Sequence, residues 1–288
     1  MATGRFDGPL LGDGPTAAER ERRIAIALFV ATGACVFLVH WLGWQRELSA
    51  TTAWGSARFS VALLFVMLCH ELGHYGYARW AGFRLSLPWF LPAPFLVGTL
   101  GAVIKVRERP RTRDELVGLG ASGPLLGLVA IVLVLGLRAV LDDPVVSPVS
   151  AEGWSLRRPL LWWVVGWPLG RVDAPTPADP LGFAAWVGCL VTAMNLLPFG
   201  QLDGGHIVGA WRPSWRRAAI WTVTALGLLL AIAWPPWAVW VALLHVIGAQ
   251  KPLEAKGEEE GLSSAGRWLA GAAACCFLLC VTPAPTNW

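Results

Sequence analysis

Five consecutive residues, His70-Glu71-Leu72-Gly73-His74, carry the strongest chemical signal in the chain. On a helix, positions i and i+4 share a face, so the two imidazoles converge on one point. Glu71 sits beside them, where a carboxylate can take a proton from water held at that point. Two His on a zinc ion with a Glu as general base is the chemistry served by this HExxH spacing. The ordinary alternative is three polar groups on a helix surface. The neighbourhood weakens it, because the residues before the motif (61–69) are uncharged and apolar. An ionisable side chain near a bilayer centre costs roughly 2.5–3.5 kcal/mol on insertion scales, so such residues face an interior or a cavity and serve a function.

Two His leave a catalytic zinc one protein ligand short. His40 and His245 stand alone near the ends of apolar runs, where packed or interfacial histidines are common. Asp203 is placed differently, in Asn195-Leu196-Leu197-Pro198-Phe199-Gly200-Gln201-Leu202-Asp203-Gly204-Gly205-His206, directly after an uncharged run. Pro198 breaks a helix there, and Gly200, Gly204 and Gly205 let the backbone turn and approach another element closely. The Asp203 carboxylate is then a ligand reaching back to the HExxH helix, or an Asx-type cap at a helix end.

The elements that must position these residues are membrane helices. Apolar residues make up 55% of the 288 and charged residues 15%, with mean hydropathy +0.54; soluble domains run nearer 45–50% and about 25%. The excess lies in long runs at 24–44, 59–80, 116–141, 181–199, 218–234, 237–249 and 268–281. The expected fold is therefore an all-α polytopic membrane protein with about six transmembrane helices, or seven if both short runs cross. The first run exceeds a signal-peptide h-region and follows a segment carrying Asp7, Asp13, Glu19 and Glu21, so it reads as a retained span. Trp clusters at run ends, at Trp41, Trp44, Trp54, Trp211, Trp215, Trp234 and Trp237, as an interfacial belt does.

With the N-terminus in the cytoplasm, six of the 23 Lys/Arg (Arg46, Arg58, Arg138, Arg157, Arg158 and Arg171) fall outside and the remaining 17 inside. The basic excess is thus a positive-inside signal, and nucleic acid is not an implied partner. The six Cys all sit in apolar runs without zinc-finger spacing and read as small core residues. Residues 1–19 read as disordered, 142–180 as an outer loop with an interfacial patch at 160–169, and 251–261 as a cytoplasmic loop.

Between the second and third runs, residues 85–113 are Pro-rich and then β-favouring, from Gly98-Thr99-Leu100-Gly101 to Val106. Irregular backbone at membrane depth is tolerated only against protein or a water-filled cavity, so a re-entrant β-hairpin leaning on the helices is expected. Gly98, Thr99 and Gly101 are its candidate substrate-binding positions, through strand addition by an unwound substrate. The expected division is an N-terminal segment 1–23, a membrane core 24–250 with its catalytic part at about 59–206, and a loop with a final apolar segment at 251–288.

HELGH, GTLGAVI at 98–104, Ser122-Gly123-Pro124 and NLLPFGQLDGGH, in that order, resemble the site-2 protease family of intramembrane metalloproteases. The resemblance implies one zinc per chain held by His70, His74 and Asp203, with Glu71 activating water. It implies that Asn195 helps to hold the substrate or the transition state. It further implies cleavage of peptide bonds in or near transmembrane helices of membrane-tethered proteins, in a bacterial inner membrane; the positive-inside topology puts the site toward the cytoplasm. No stretch of the chain is long and polar enough for the soluble PDZ or CBS domain of some members. A membrane metal-binding scaffold or transporter is the alternative, since it would keep the His/Asp set without needing Glu71.

Overall fold

A computed structural model describes residues 15–45, 47–141, 155–170, 179–248, 253–257 and 261–287. The chain opens with α1 (Pro15–Val39), which runs on as one π-helical turn, His40–Trp44. Helix α2 (Ala50–Ala81) starts at a capping box, in which the Ser49 side chain accepts from Thr52 N–H and the Thr52 side chain accepts from Ser49 N–H. It stops at Gly82, whose φ of +81° suits glycine. Strands β1 (Trp89–Pro92) and β2 (Thr99–Val103) form an antiparallel hairpin. Then follow α3 (Arg113–Val140), β3 (Ser155–Leu156), α4 (Leu160–Gly166), α5 (Pro180–Asn195), α6 (Asp203–Trp211), α7 (Arg216–Leu230), α8 (Pro236–Gly248), α9 (Ser264–Cys280) and β4 (Thr286–Asn287).

Among the described residues, three helical segments are long and apolar enough to cross a membrane: Ala18–Trp44, Ala50–Ala81 and Arg113–Val140. The other apolar runs are cut by Pro and Gly into α5, α7, α8 and α9, of 13 to 17 residues. At 1.5 Å per residue these reach about 20–26 Å, short of a ~30 Å hydrocarbon layer. Three helices among the described residues thus have the length to cross alone, where about six spans were expected. On α3 the outward stripe Leu126, Val129, Leu133, Leu137 and Val140 is 40–80% exposed, the surface that lipid would cover.

The buried stripe of α2 runs Phe59, Leu63, Val66, His70 and His74, at the three- and four-residue steps of one helix face. The motif histidines thus continue the apolar face that packs inward. On the opposite side Val61, Phe65 and Leu72 are exposed, so the Leu of HELGH points away from the site. One core joins this stripe to α3, α5 and α9, through residues such as Leu116, Ile131, Phe183, Ala184, Ala273 and Cys276. The final apolar segment therefore belongs to the same core as the first. Of the cysteines, Cys189, Cys276 and Cys280 are core residues as expected, whereas Cys275 is exposed.

Several charged and polar groups inside the bundle are paired. Arg138 donates to Asp179 at 2.7 Å, and the second Asp179 oxygen accepts from Gly182 N–H at the start of α5. His40 and Ser56 are bonded at 2.8 Å. Since the Ser56 hydroxyl donates to the Thr52 carbonyl, His40 Nδ1 is the donor. His40 also stacks on Phe59, so it is a packed histidine.

The hairpin expected between α2 and α3 is present and follows the length of α1. At its base, Leu87 N–H and Arg107 both donate to the fully buried Glu21 carboxylate. At its tip, Trp44 Nε1 donates to the Leu96 carbonyl. Between them Phe90 meets Phe29 edge-on at 5.0 Å. The register pairs Trp89 with Val103 and Phe90 with Ala102, then slips so that Pro92 faces Thr99. The slip is a bulge at Gly101, whose φ of +103° disfavours any side chain.

Helix already begins at Pro15, in part of what reads as disordered in sequence, because the charged turn at 19–23 continues α1 and Glu21 is anchored on the hairpin. Residues 1–14, 46, 142–154, 171–178, 249–252, 258–260 and 288 lie outside the described residues, and with them the rest of the segment expected to be disordered and most of the expected loops. In the 160–169 patch, Trp167 is 75% exposed but Trp162 is buried in the core.

Glu21→Gln removes the charge that Arg107 and Leu87 N–H share. Hydrogen bonds to charged groups are worth about 1.5–3 kcal/mol each, so a loss of about 2 kcal/mol is expected. Thermal unfolding in detergent should fall by several degrees, and hydrogen exchange at the Leu87 amide should accelerate.

Candidate metal centre

Three elements bring the polar side chains together. His70 and His74 lie one turn apart on the inner face of α2. Asp203 is the first residue of α6, after a loop that folds back tightly: a side chain at Gly204 would strike the Leu196 carbonyl, and one at Gly205 the Gly200 carbonyl. Leu202 caps α6 without a side-chain bond, so Asp203 is not an Asx cap and its carboxylate is directed at α2. Its position at a helix N-terminus also favours negative charge.

His70 Nε2 lies 3.2 Å from Asp203 Oδ2, and His74 Nε2 3.4 Å from Asp203 Oδ1. One nitrogen from each His and one carboxylate oxygen all fall within 4.8 Å of one another. Ligand atoms about 2.0–2.1 Å from a tetrahedral zinc are separated by roughly 3.3–3.4 Å, so the donor set fits the ion in type and spacing. His74 Nδ1 donates to the Leu119 carbonyl at 2.7 Å, which fixes the tautomer and leaves the Nε2 lone pair facing Asp203. Converging lone pairs and a carboxylate, secluded from water, call for a cation between them.

Glu71 is 8% exposed, on the same turn of α2 and within electrostatic range of all three candidate ligands. Asn195, the last residue of α5, places its side-chain amide 3.5 Å from His70 Nε2. The fold thus gathers His70, Glu71, His74, Asn195 and Asp203 in one place. It does not bring in His245, which bonds the Val241 carbonyl and packs edge-on against Phe199.

The hairpin positions have local duties. Gly98 lies against the backbone of Val36 on α1, too close for a side chain. The Thr99 hydroxyl donates to the Leu91 carbonyl and accepts from Gly101 N–H. Gly101 forms the bulge. The outward side chains of this strand are Leu100 and Val103, 49% and 54% exposed.

The seat of the site is the glycine face of α3, of which the motifs name Gly123 but not Gly118, Gly120 or Gly127. A side chain at Gly123 would occupy the His74 ring, one at Gly118 would strike Tyr77, and one at Gly120 would come within 2.7 Å of the Asp203 carbonyl oxygen. At Gly127 a methyl would lie 3.2 Å from His70 Nδ1. Gly120, Gly123 and Gly127 follow three- and four-residue steps inside an uncharged run, a legible small-residue helix contact. The Leu119 carbonyl, a backbone group, leaves no trace in the sequence. Pro124 has no N–H for the Gly120 carbonyl one turn earlier, which loosens α3 beside the site.

A family model described as "Peptidase family M50" matches residues 58–153 and 164–232. Among curated proteins, the chain is similar to "Probable zinc metalloprotease EGY2, chloroplastic" of Oryza sativa subsp. indica, 32% identical over 170 residues, covering 57% of this chain and 30% of that protein. The Arabidopsis thaliana protein of the same name is 31% identical over 147 residues, covering 49% and 26%. "Probable zinc metalloprotease EGY1, chloroplastic" of Oryza sativa subsp. japonica is 34% identical over 154 residues, covering 50% and 26%. The chain therefore spans less than a third of the length of these relatives, and their names place them in the chloroplast rather than a bacterial membrane. No solved structure matches it at a significant level.

Gly123→Ala tests the seat. A methyl there displaces the His74 ring, and disturbing a ligand's support typically costs about 10–100-fold in metal affinity. Zinc competition against a chromophoric chelator should report a loss of that order, with the helical circular dichroism retained.

Proposed function

The chain belongs to peptidase family M50, and from that premise we propose that it is an intramembrane zinc endopeptidase cutting peptide bonds in or near transmembrane helices of membrane-tethered proteins. The observation that carries this reading is the convergence of His70, His74 and Asp203 with a buried Glu71 beside them. A zinc ion bound there supplies a Lewis acid for a peptide carbonyl and lowers the pKa of water toward ~7. Glu71 takes the proton of the attacking water and passes it to the departing amide nitrogen. The Asn195 amide donates to the carbonyl oxygen under attack, where charge develops, and so binds the transition state more tightly than the ground state. The Leu119 carbonyl holds His74 in its working tautomer throughout.

A substrate helix hides its carbonyls in its own hydrogen bonds, so it must unwind before attack. The hairpin supports a place for the extended segment. An open strand edge is not tolerated in hydrocarbon, so the outer edge of β2 needs a polar groove or a partner strand. In this proposal an unwound substrate pairs with that edge across Leu100 and Val103, with Gly98, Thr99 and Gly101 shaping the strand that receives it. The positive-inside bias expected from the sequence supports a site facing the cytoplasm.

Glu71→Gln separates an enzyme from a metal scaffold or transporter. Zinc content should stay at one per chain while cleavage of transmembrane substrates falls by at least about 10³-fold, in line with loss of an essential acid–base group; undiminished cleavage would sink the proposal. For the docking edge, cysteines at Leu100 or Val103 in the Glu71→Gln background should cross-link to cysteines placed around a substrate's scissile bond. Absence of cross-links at both positions removes the hairpin from substrate binding.

A further inference from the structure

Residues 253–257 bridge the two walls of the metal centre. Lys256 and Gly257 N–H groups donate to the Pro110 and Arg111 carbonyls at 3.0 and 2.9 Å, just before α3 begins. Leu253 packs on a small cluster of Ala78, Phe83, Leu85 and Leu119. Two of its members adjoin the site: Ala78 lies one turn beyond His74 on α2, and Leu119 supplies the carbonyl that holds His74. On the other side Glu254 accepts from Arg216 Nη1 at 2.9 Å, and Arg216 Nη2 donates to the Gly209 carbonyl of α6, the helix that begins with Asp203. Ala255, between these attachments, is 7% exposed.

We propose that residues 253–257 form a strap closing the polar end of the site and controlling the entry of water-borne molecules to it. Neither wall holds the strap strongly. Its fastenings are two backbone hydrogen bonds, one half-buried Leu, the small buried side chain of Ala255 and one ion pair whose Glu254 side chain is 49% exposed. An exposed pair is weak and screened by salt, and a segment with few buried contacts opens locally at low cost. The fastenings sit on different elements, so release at Arg216 frees the α6 side while the α3 side stays tied. The strap is thus hinged beside α3.

The inference rests on the reading of the site as a metal centre, and its test separates the two. In full-length protein in lipid nanodiscs, Leu119→Cys reports whether the strap is seated, through its labelling rate with a charged methanethiosulfonate resolved by peptide mass spectrometry. Adding Glu254→Arg should speed labelling about two- to fivefold, the equivalent of a weak ion pair. Adding Arg216→Glu to that variant should restore the slow rate, which also shows that the variant is folded. Leu253→Asp should speed labelling roughly tenfold, as loss of a half-buried Leu contact predicts. Zinc removal by EDTA from chains with native Leu119 should accelerate in the same order. Labelling unchanged in both strap variants, or faster labelling without faster zinc removal, overturns the strap. A wild-type chain purified without zinc overturns the metal reading instead, and the labelling rates still decide the strap.

Discussion

Where α2 crosses α3, Gly73 meets the Ser122 carbonyl and the His74 ring fills the space a side chain at Gly123 would take. Hydrocarbon gives no hydrophobic reward for pressing two apolar helices together, so close packing of small residues has to supply the attraction. The same contact does chemical service. It lowers the His74 imidazole onto the Leu119 carbonyl, which selects the tautomer with its lone pair toward Asp203. Helix α6 can then lie against α3 at Gly120, bringing its first residue within reach of both imidazoles. With a bulkier α3 face, these donors would stand apart.

The rest of the molecule obeys the cost of burying polar groups. Arg138 with Asp179, Glu21 with Arg107 and the Leu87 amide, and His40 with Ser56 are each matched inside the bundle. These pairs also locate the elements. Glu21 ties the base of the hairpin to α1, and Asp179 both caps α5 and anchors it to the end of α3. Because α5 ends at Asn195, the anchor at one end of that helix sets the height at which the amide meets the site at the other. The candidate metal donors form an electron-rich cluster, as a cation site must.

Much of this was legible beforehand for physical reasons. The HExxH spacing depends only on helix periodicity, and residues 59–80 could hardly be anything but a helix. The LDGG loop announced a reversal through Pro198 and its glycines, and the β-favouring stretch after Pro94 announced the hairpin. The number of spanning helices was less legible. Hydropathy reports that a residue avoids water and not how long its helix is: α5 is short and buried by its neighbours, whereas α7 is short with an exposed apolar face. At Thr99, a candidate position of the docking strand, the hydroxyl bonds within the hairpin, a contact the sequence could not show because cross-strand bonding depends on a register that the bulge at Gly101 sets.

By itself, then, the amino-acid sequence determined the chemistry available: two imidazoles one turn apart, a carboxylate beside them, and a second carboxylate after a chain reversal. Those are local properties, governed by backbone periodicity and turn residues. Only the tertiary structure decided that Asp203 faces the imidazoles instead of capping its helix, that Asn195 joins them, that a backbone carbonyl orients His74, and that residues 253–257 cross between the walls. Each of these depends on distances between segments far apart in the chain, set by how closely the helices pack.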